Sequence, residues 1–128
     1  MADAHENPRV TGSIPLARVA DVQRSVDFYR LLGMEVRGSL RNSSGELQWV
    51  CLAYEQAELM FGRASEPIVP SQQAVLFYLY SPNLIVLRGH LIANGLKASA
   101  ITYPEYMTKG EICLEDPDGF VLLIGQAE

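Results

Sequence analysis

Three charged side chains interrupt otherwise apolar stretches of this sequence. They are Arg18 in Ser13-Ile-Pro-Leu-Ala-Arg-Val19, Glu58 in Ala57-Glu-Leu-Met-Phe-Gly62, and Glu111 at the head of Glu111-Ile-Cys-Leu-Glu115. A carboxylate in apolar surroundings is a candidate general base, because desolvation raises its pKa. No spacing singles out one of the two, so Glu58 and Glu111 both stand as catalytic candidates. Buried charges need partners, and Arg18 is expected to pair with one of these carboxylates. Cys51 and Cys113 lie far apart, without CxxC spacing, and read as free thiols. With no His near it in any motif, Cys113 reads as a small buried hydrophobe rather than a nucleophile. His5 lies near the start and His90 sits between Gly89 and Leu91, where it reads as a surface residue of a helix. Neither histidine has partners at metal-ligand spacing. Trp49, Tyr78 and Tyr80 supply aromatic surface, and Tyr103 and Tyr106 flank Pro104 in a loop that could form a lid.

The bulk composition narrows the field of functions. The 128 residues suit one domain with a core of its own. A net charge of -5 with only ten Lys and Arg disfavours nucleic acid, whose phosphates demand clustered cations. Met1-Ala-Asp-Ala-His-Glu-Asn-Pro8 has neither the basic nor the apolar region of a signal peptide. No apolar run approaches the ~20 residues that cross a bilayer, so no membrane partner is expected and the cytoplasm is the default compartment.

The elements that must position these residues come twice. After a polar arm over residues 1–12, Ser13 to Val19 reads as a strand. Asp21 then caps a helix whose apolar stripe runs Val22, Val26, Phe28, Tyr29, Leu32, and Gly33 ends it. Three strands follow at Met34 to Gly38, Glu46 to Ala53 and Ala57 to Gly62, the first two joined by the turn Asn42-Ser-Ser-Gly45. A Pro-containing linker spans residues 63–72. The same order then returns: a strand at Gln73 to Tyr80, a helix opened by Ser81-Pro-Asn83, Gly95, and strands at Lys97 to Thr102, Glu111 to Glu115 and Phe120 to Gly125. The expected domain is therefore residues 13–128, made of two strand–helix–three-strand modules at about 13–62 and 73–126, each of roughly 50 residues. One module alone leaves a sheet face unburied, so two must combine.

Two stretches carry a family resemblance. Asp21-Val-Gln-Arg-Ser-Val-Asp-Phe-Tyr-Arg-Leu-Leu-Gly33 resembles the first-helix signature of the glyoxalase/bleomycin-resistance/dioxygenase (vicinal oxygen chelate) superfamily. Glu111-Ile-Cys-Leu-Glu-Asp-Pro-Asp-Gly119 resembles its closing hairpin. The resemblance covers about residues 13–126. It implies an α+β fold in which two βαβββ modules form a half-open, curved mixed-sheet barrel around a cavity. In enzymes of this superfamily, a divalent metal in the cavity acts as a Lewis acid on substrate oxygens. The resemblance places the ligand positions at Ile14, Ala74 (or Gln73, one residue earlier) and Leu123. Isoleucine, alanine and leucine offer no donor atom, and one further carboxylate at Glu58 does not hold a cation in defined geometry. No metal and no other cofactor is expected, and metal-dependent glyoxalase or dioxygenase activity is disfavoured.

Strand alternation then assigns the cavity lining. Ile14, Leu16 and Arg18 share a face, as do Glu58 and Met60, Leu76, Tyr78 and Tyr80, Glu111 and Cys113, and Val121 and Leu123, with Trp49 at the rim. The expected ligand site is Arg18, Trp49, Glu58, Met60, Tyr78, Tyr80, Glu111 and Cys113, an apolar and aromatic pocket with a few charges. The expected function is metal-free binding of a small aromatic or cationic molecule by a homodimer, as the likeness to bleomycin-resistance proteins implies. Two alternatives stand beside it: a lyase, isomerase or dioxygenase-type enzyme with an atypical site around Glu58 and Glu111, and a dimeric regulatory module with a vestigial pocket.

Overall fold

The computed structural model describes residues 8–128, so His5 lies outside the described residues. β1 (Leu16–Val19) leads into α1 (Val22–Arg30), followed by β2 (Glu35–Arg41), β3 (Leu47–Tyr54) and β4 (Ala57–Arg63). After a 3-10 turn at Pro70–Gln72 come β5 (Leu76–Ser81), α2 (Leu84–Ala93), β6 (Glu111–Glu115) and β7 (Val121–Gln126). The elements make two open sheets, ordered β1-β4-β3-β2 and β5-β7-β6. β1 runs parallel to β4 and β5 runs parallel to β7, which is the same crossover made twice.

The repeat extends to the helix ends. The Asp21 carboxylate accepts from the amide of Arg24, and the Asn83 side-chain oxygen accepts from that of Val86, each satisfying an orphan donor of the first turn. At the other end Gly33 and Gly95 enter the left-handed region at φ 87° and 83°. This lets the amides of Met34 and Leu96 reach back to the carbonyls of Tyr29 and Leu91. The same closure, spanning five residues, ends both helices.

One expected strand is not formed. Residues 97–102 run beside β6 but make only an isolated bridge, Thr102 to Glu111. The reason is Ser99, whose hydroxyl takes the amide proton of Cys113 at 2.8 Å in place of a backbone carbonyl. That exchange breaks the ladder, so the second module holds three strands rather than four. Boundaries shift as well: the first strand begins at Leu16 rather than Ser13, and the fifth at Leu76 rather than Gln73.

Alternate residues of each sheet pack beneath a helix. Val19, Val50, Leu52 and Phe61 of the first sheet and Phe77, Ile112, Leu114, Leu122 and Ile124 of the second are buried in one continuous core with Val22, Val26, Tyr29, Leu84 and Leu91. The two modules meet through an aromatic chain. Tyr29 lies 4.7 Å from Phe61, Phe61 lies 6.5 Å from Phe77, and Phe77 stacks at 5.2 Å on Phe120. The Asp116-Pro-Asp-Gly119 turn seals this junction: Asp116 accepts from the Tyr29 hydroxyl at 2.8 Å and Asp118 from the backbone amide of Ala20 at 2.8 Å. Burial and the Asp116 carboxylate together hold the Tyr29 phenol well above its ordinary pKa, so it stays a donor at any physiological pH.

Candidate functional site

The faces turned away from the helices carry the residues expected to line a cavity, and the alternation holds. On β1, Leu16 and Arg18 are exposed while Ala17 and Val19 are buried. On β5, Phe77 is buried while Leu76 and Tyr80 stand 54% and 64% exposed. These faces remain open within one chain, and the expected pocket divides into two half-sites, one per sheet.

The first half-site is built on β1, β4 and β3. Leu16 pairs in register with Met60 and Arg18 with Gly62, and Cys51 and Trp49 continue those rows on β3. The Leu16 and Arg18 side chains pass beside Gly62, and the Trp49 ring lies over Gly38. Arg18 does not pair with a carboxylate, contrary to expectation. Its guanidinium donates to the carbonyl of Arg63 at 3.4 Å, while Glu58 takes Arg37 as its ionic partner at 3.6 Å. Arg37 was missed because it sits in a register shift between Val36 and Gly38, where the extra residue breaks simple alternation. Both partners are substantially exposed, so the pair contributes little to stability. The Cys51 thiol donates to Glu58 at 3.5 Å.

The second half-site is built on β5, β7 and β6, and centres on Glu111. The Tyr78 hydroxyl donates to Glu111 Oε2 at 2.6 Å and the Tyr106 hydroxyl to Oε1 at 2.8 Å. Tyr78 stands on β5 and Glu111 on β6, so the phenol crosses the middle strand diagonally. Gly125 makes that crossing possible: a Cβ there would lie 3.1 Å from the Tyr78 hydroxyl and 2.7 Å from the Met107 methyl. Tyr80 lies 5.3 Å and Tyr106 6.4 Å from Tyr78, centroid to centroid. Burial, followed by the bond to Glu111, raises the Tyr78 pKa; for Tyr106 the bond to Glu111 is the larger cause.

Cys113 corrects a second expectation, since it is exposed, whereas Cys51 is buried. Both thiols are pushed up, first by desolvation and then by neighbouring carboxylates: Glu111 and Glu115 for Cys113, Glu58 for Cys51. Alkylation of the native protein is therefore expected to be slow at neutral pH and to reach Cys113 well before Cys51. Mass spectrometry of iodoacetamide adducts over time checks the order, and equal labelling would contradict the burial of Cys51.

The positions where the resemblance places metal ligands do not fit a metal. Leu123 lies on β7 in register between Tyr78 and Cys113, and Ile14 and Ala74 precede β1 and β5; none has a donor atom. Among the described residues, no three His, Cys, Asp or Glu side chains converge as a metal site would require. Glu58 and Glu111 stand on different sheets, each engaged with its own neighbours. His90 is exposed on α2, and Tyr103 is exposed beside the Tyr106 loop. A groove of about 390 Å³ lies elsewhere, between the start of α1 and the β2–β3 turn. Within it Arg63 pairs with Glu46, Arg41 donates to the Gly45 carbonyl at 2.8 Å, and the Asp21 carboxylate caps α1. No helix of the described chain is long and apolar enough to cross a membrane.

The architecture is the fold of solved bleomycin-binding and bleomycin-resistance proteins. A bleomycin-binding protein solved in complex with bleomycin is 20% identical over 93% of this chain and all of its own, with a TM-score of 0.73. The bleomycin resistance determinant encoded on transposon Tn5 is 19% identical over 93% of this chain and 99% of its own, with a TM-score of 0.74. TnmS3, an antibiotic-binding protein from Streptomyces sp. CB03234, is 17% identical over 94% of this chain, with a TM-score of 0.68. No protein-family model matches the chain, and no curated protein is significantly similar to it in sequence.

Proposed function

We propose that this protein binds a small, flat, cationic molecule without a metal, against the aromatic faces of its sheets, and that it does so as a homodimer. The observation that carries the reading is the second half-site: two tyrosine hydroxyls on one buried carboxylate, with the exposed Tyr80 ring beside Tyr78. Aromatic faces attract cations through their quadrupoles, and a carboxylate adds charge. The fold is shared with proteins that bind antibiotics, which supports a binding role over a catalytic one. The dimer is supported by exposed apolar side chains on the faces themselves. Leu16, Leu40, Leu76 and Tyr80 are each at least half exposed, and a second copy would cover them and turn open faces into clefts.

A thermal-shift screen with bleomycin and planar aromatic cations tests the reading, with the methylglyoxal–glutathione hemithioacetal as an enzyme-type comparison. A ligand at about a hundred times its Kd is expected to add ~2.7 kcal/mol of stability. Stabilisation by none of the aromatic cations would overturn the proposal. Light scattering at micromolar concentration is expected to return twice the chain mass of 14.2 kDa, and a monomer mass would refute the dimer.

A second reading rests on the Cys51–Glu58–Arg37 cluster, which sets a thiol, a carboxylate and a guanidinium together on the first half-site. There Glu58 would act as a general base in an isomerase or lyase. Turnover of the hemithioacetal that Glu58→Gln abolishes would favour it.

A further inference from the structure

Glu111 is only 6% exposed, yet its carboxylate has no cationic partner among the described residues. Buried carboxylates are ordinarily paired with a cation, because desolvating a lone charge is costly. Here the two oxygens are held by neutral hydroxyls of unequal standing. Tyr78 is part of a strand, half-buried, and fitted into the space that Gly125 leaves open. Tyr106 is 66% exposed and comes from the loop preceding β6, outside any helix or strand. One oxygen is thus locked from within the sheet, and the other is covered by a group that can leave.

We propose that Glu111 Oε1 is the recognition point for a protonated N–H donor on the ligand, an amidinium or primary ammonium carried by an aromatic ring, and that Tyr106 is the strap it displaces. The inference rests on the reading that this face binds aromatic cations, and adds which cation it selects. Tyr78 positions the carboxylate from behind, through Oε2. The ligand's N–H takes the acceptor site that the Tyr106 hydroxyl occupies at 2.8 Å, exchanging a bond from a neutral hydroxyl for one in which donor and acceptor are both charged. Tyr78 and Tyr80, 5.3 Å apart, supply the aromatic walls beside it. A quaternary cation has no N–H to offer and gains only the walls and the carboxylate's charge at longer range, so it leaves Tyr106 in place. The site therefore discriminates by hydrogen-bond donors and not by charge alone.

Two fluorescent dyes separate these contributions: the diamidine dye DAPI, a planar aromatic with amidinium N–H donors, and thioflavin T, a fixed aromatic cation with none. The full chain and its Glu111→Gln and Tyr106→Phe variants are titrated with each. DAPI is expected to bind the unaltered protein more tightly than thioflavin T. Glu111→Gln is expected to weaken DAPI about tenfold or more and thioflavin T by clearly less, since thioflavin T loses the charge but no hydrogen bond. Tyr106→Phe keeps the ring and removes the competing hydroxyl, so DAPI binding is expected to tighten severalfold. Tyr106 is exposed, so this variant keeps its fold and the test stands even where Glu111→Gln is unstable. An unchanged DAPI affinity in Glu111→Gln, or a weakened one in Tyr106→Phe, overturns the assignment while leaving the general cation-binding reading intact. Failure of both dyes to bind the unaltered protein overturns both.

Discussion

Replacing Gly119 with alanine is expected to lower the thermal midpoint by about 10 °C, the sum of two separate costs. Gly119 has a φ of 88°, in the left-handed region where an L side chain costs roughly 1–2 kcal/mol. A Cβ there would also sit 2.5 Å from the Cα of Pro70 and 2.7 Å from its carbonyl oxygen. Those are backbone atoms, so no rotamer relieves the clash, and the linker must move. It is not free to move, since the Gln73 side-chain amide donates to the Asp118 carbonyl at 3.1 Å and ties the linker to the same turn. Overpacking of this kind typically costs a further ~1–3 kcal/mol. Gly33→Ala is the control, because Gly33 has almost the same φ, 87°, but open space where the Cβ would go. It should lose only the conformational share. Equal losses in the two variants, measured by thermal melts, would show that the contact with Pro70 carries no energy.

The second large effect is expected at Asp116, where the type of substitution decides the outcome. Its Oδ1 accepts from the amides of Asp118 and Phe120, each at 2.9 Å, and its Oδ2 from the Tyr29 hydroxyl. Asp116→Ala strands three buried donors and is expected to cost about 3–5 kcal/mol, enough to unfold a marginally stable domain. Asp116→Asn keeps an oxygen for the two amides and turns an NH₂ towards Tyr29, whose hydroxyl can accept. It is expected to cost about 1 kcal/mol. Burial raises the Asp116 pKa even though the bonds from Tyr29, Phe120 and Asp118 pull it down. A carboxyl whose native pKa exceeds its unfolded value binds its proton more tightly when folded. Its contribution to stability is therefore largest at low pH and falls as pH rises from the ordinary carboxylate value through the raised one. Urea midpoints measured from acid to neutral pH should show that decline in the unaltered protein and lose it in Asp116→Asn. A slope retained by the variant would place the titrating group elsewhere.

These two positions lie in the stretch that was most legible in the sequence. Asp21 to Gly33 and Asp116 to Gly119 are local signals: a cap, a stripe at helical spacing, a glycine at each stop, a turn with its demanded residues. Chain-local chemistry dictates such features, and the helix ends show it, with the same five-residue closure at Gly33 and Gly95. Which side chains share a sheet face was equally legible, because alternation is a property of the strand itself. Leu16 and Arg18, Glu58 and Met60, and Tyr78 and Tyr80 fall on one face each as the pattern required.

Partners across strands were not legible, because register and bulges are set by the packed whole. The extra residue at Arg37 turned a guanidinium onto the face and took the role expected of Arg18. The Ser99 hydroxyl cancelled a strand whose composition allowed one. Above all, Glu111 owes its two hydroxyl partners to a diagonal reach across β7 that only a glycine at 125 permits, and to a loop brought back over the face. The sequence alone determined the doubled architecture, the faces and the residues Ile14, Ala74 and Leu123 at the positions where the resemblance would put metal ligands. Tertiary structure decided which carboxylate is buried without a cation, since burial and pairing are properties of neighbours that lie 33 residues apart in the chain, as Tyr78 and Glu111 do.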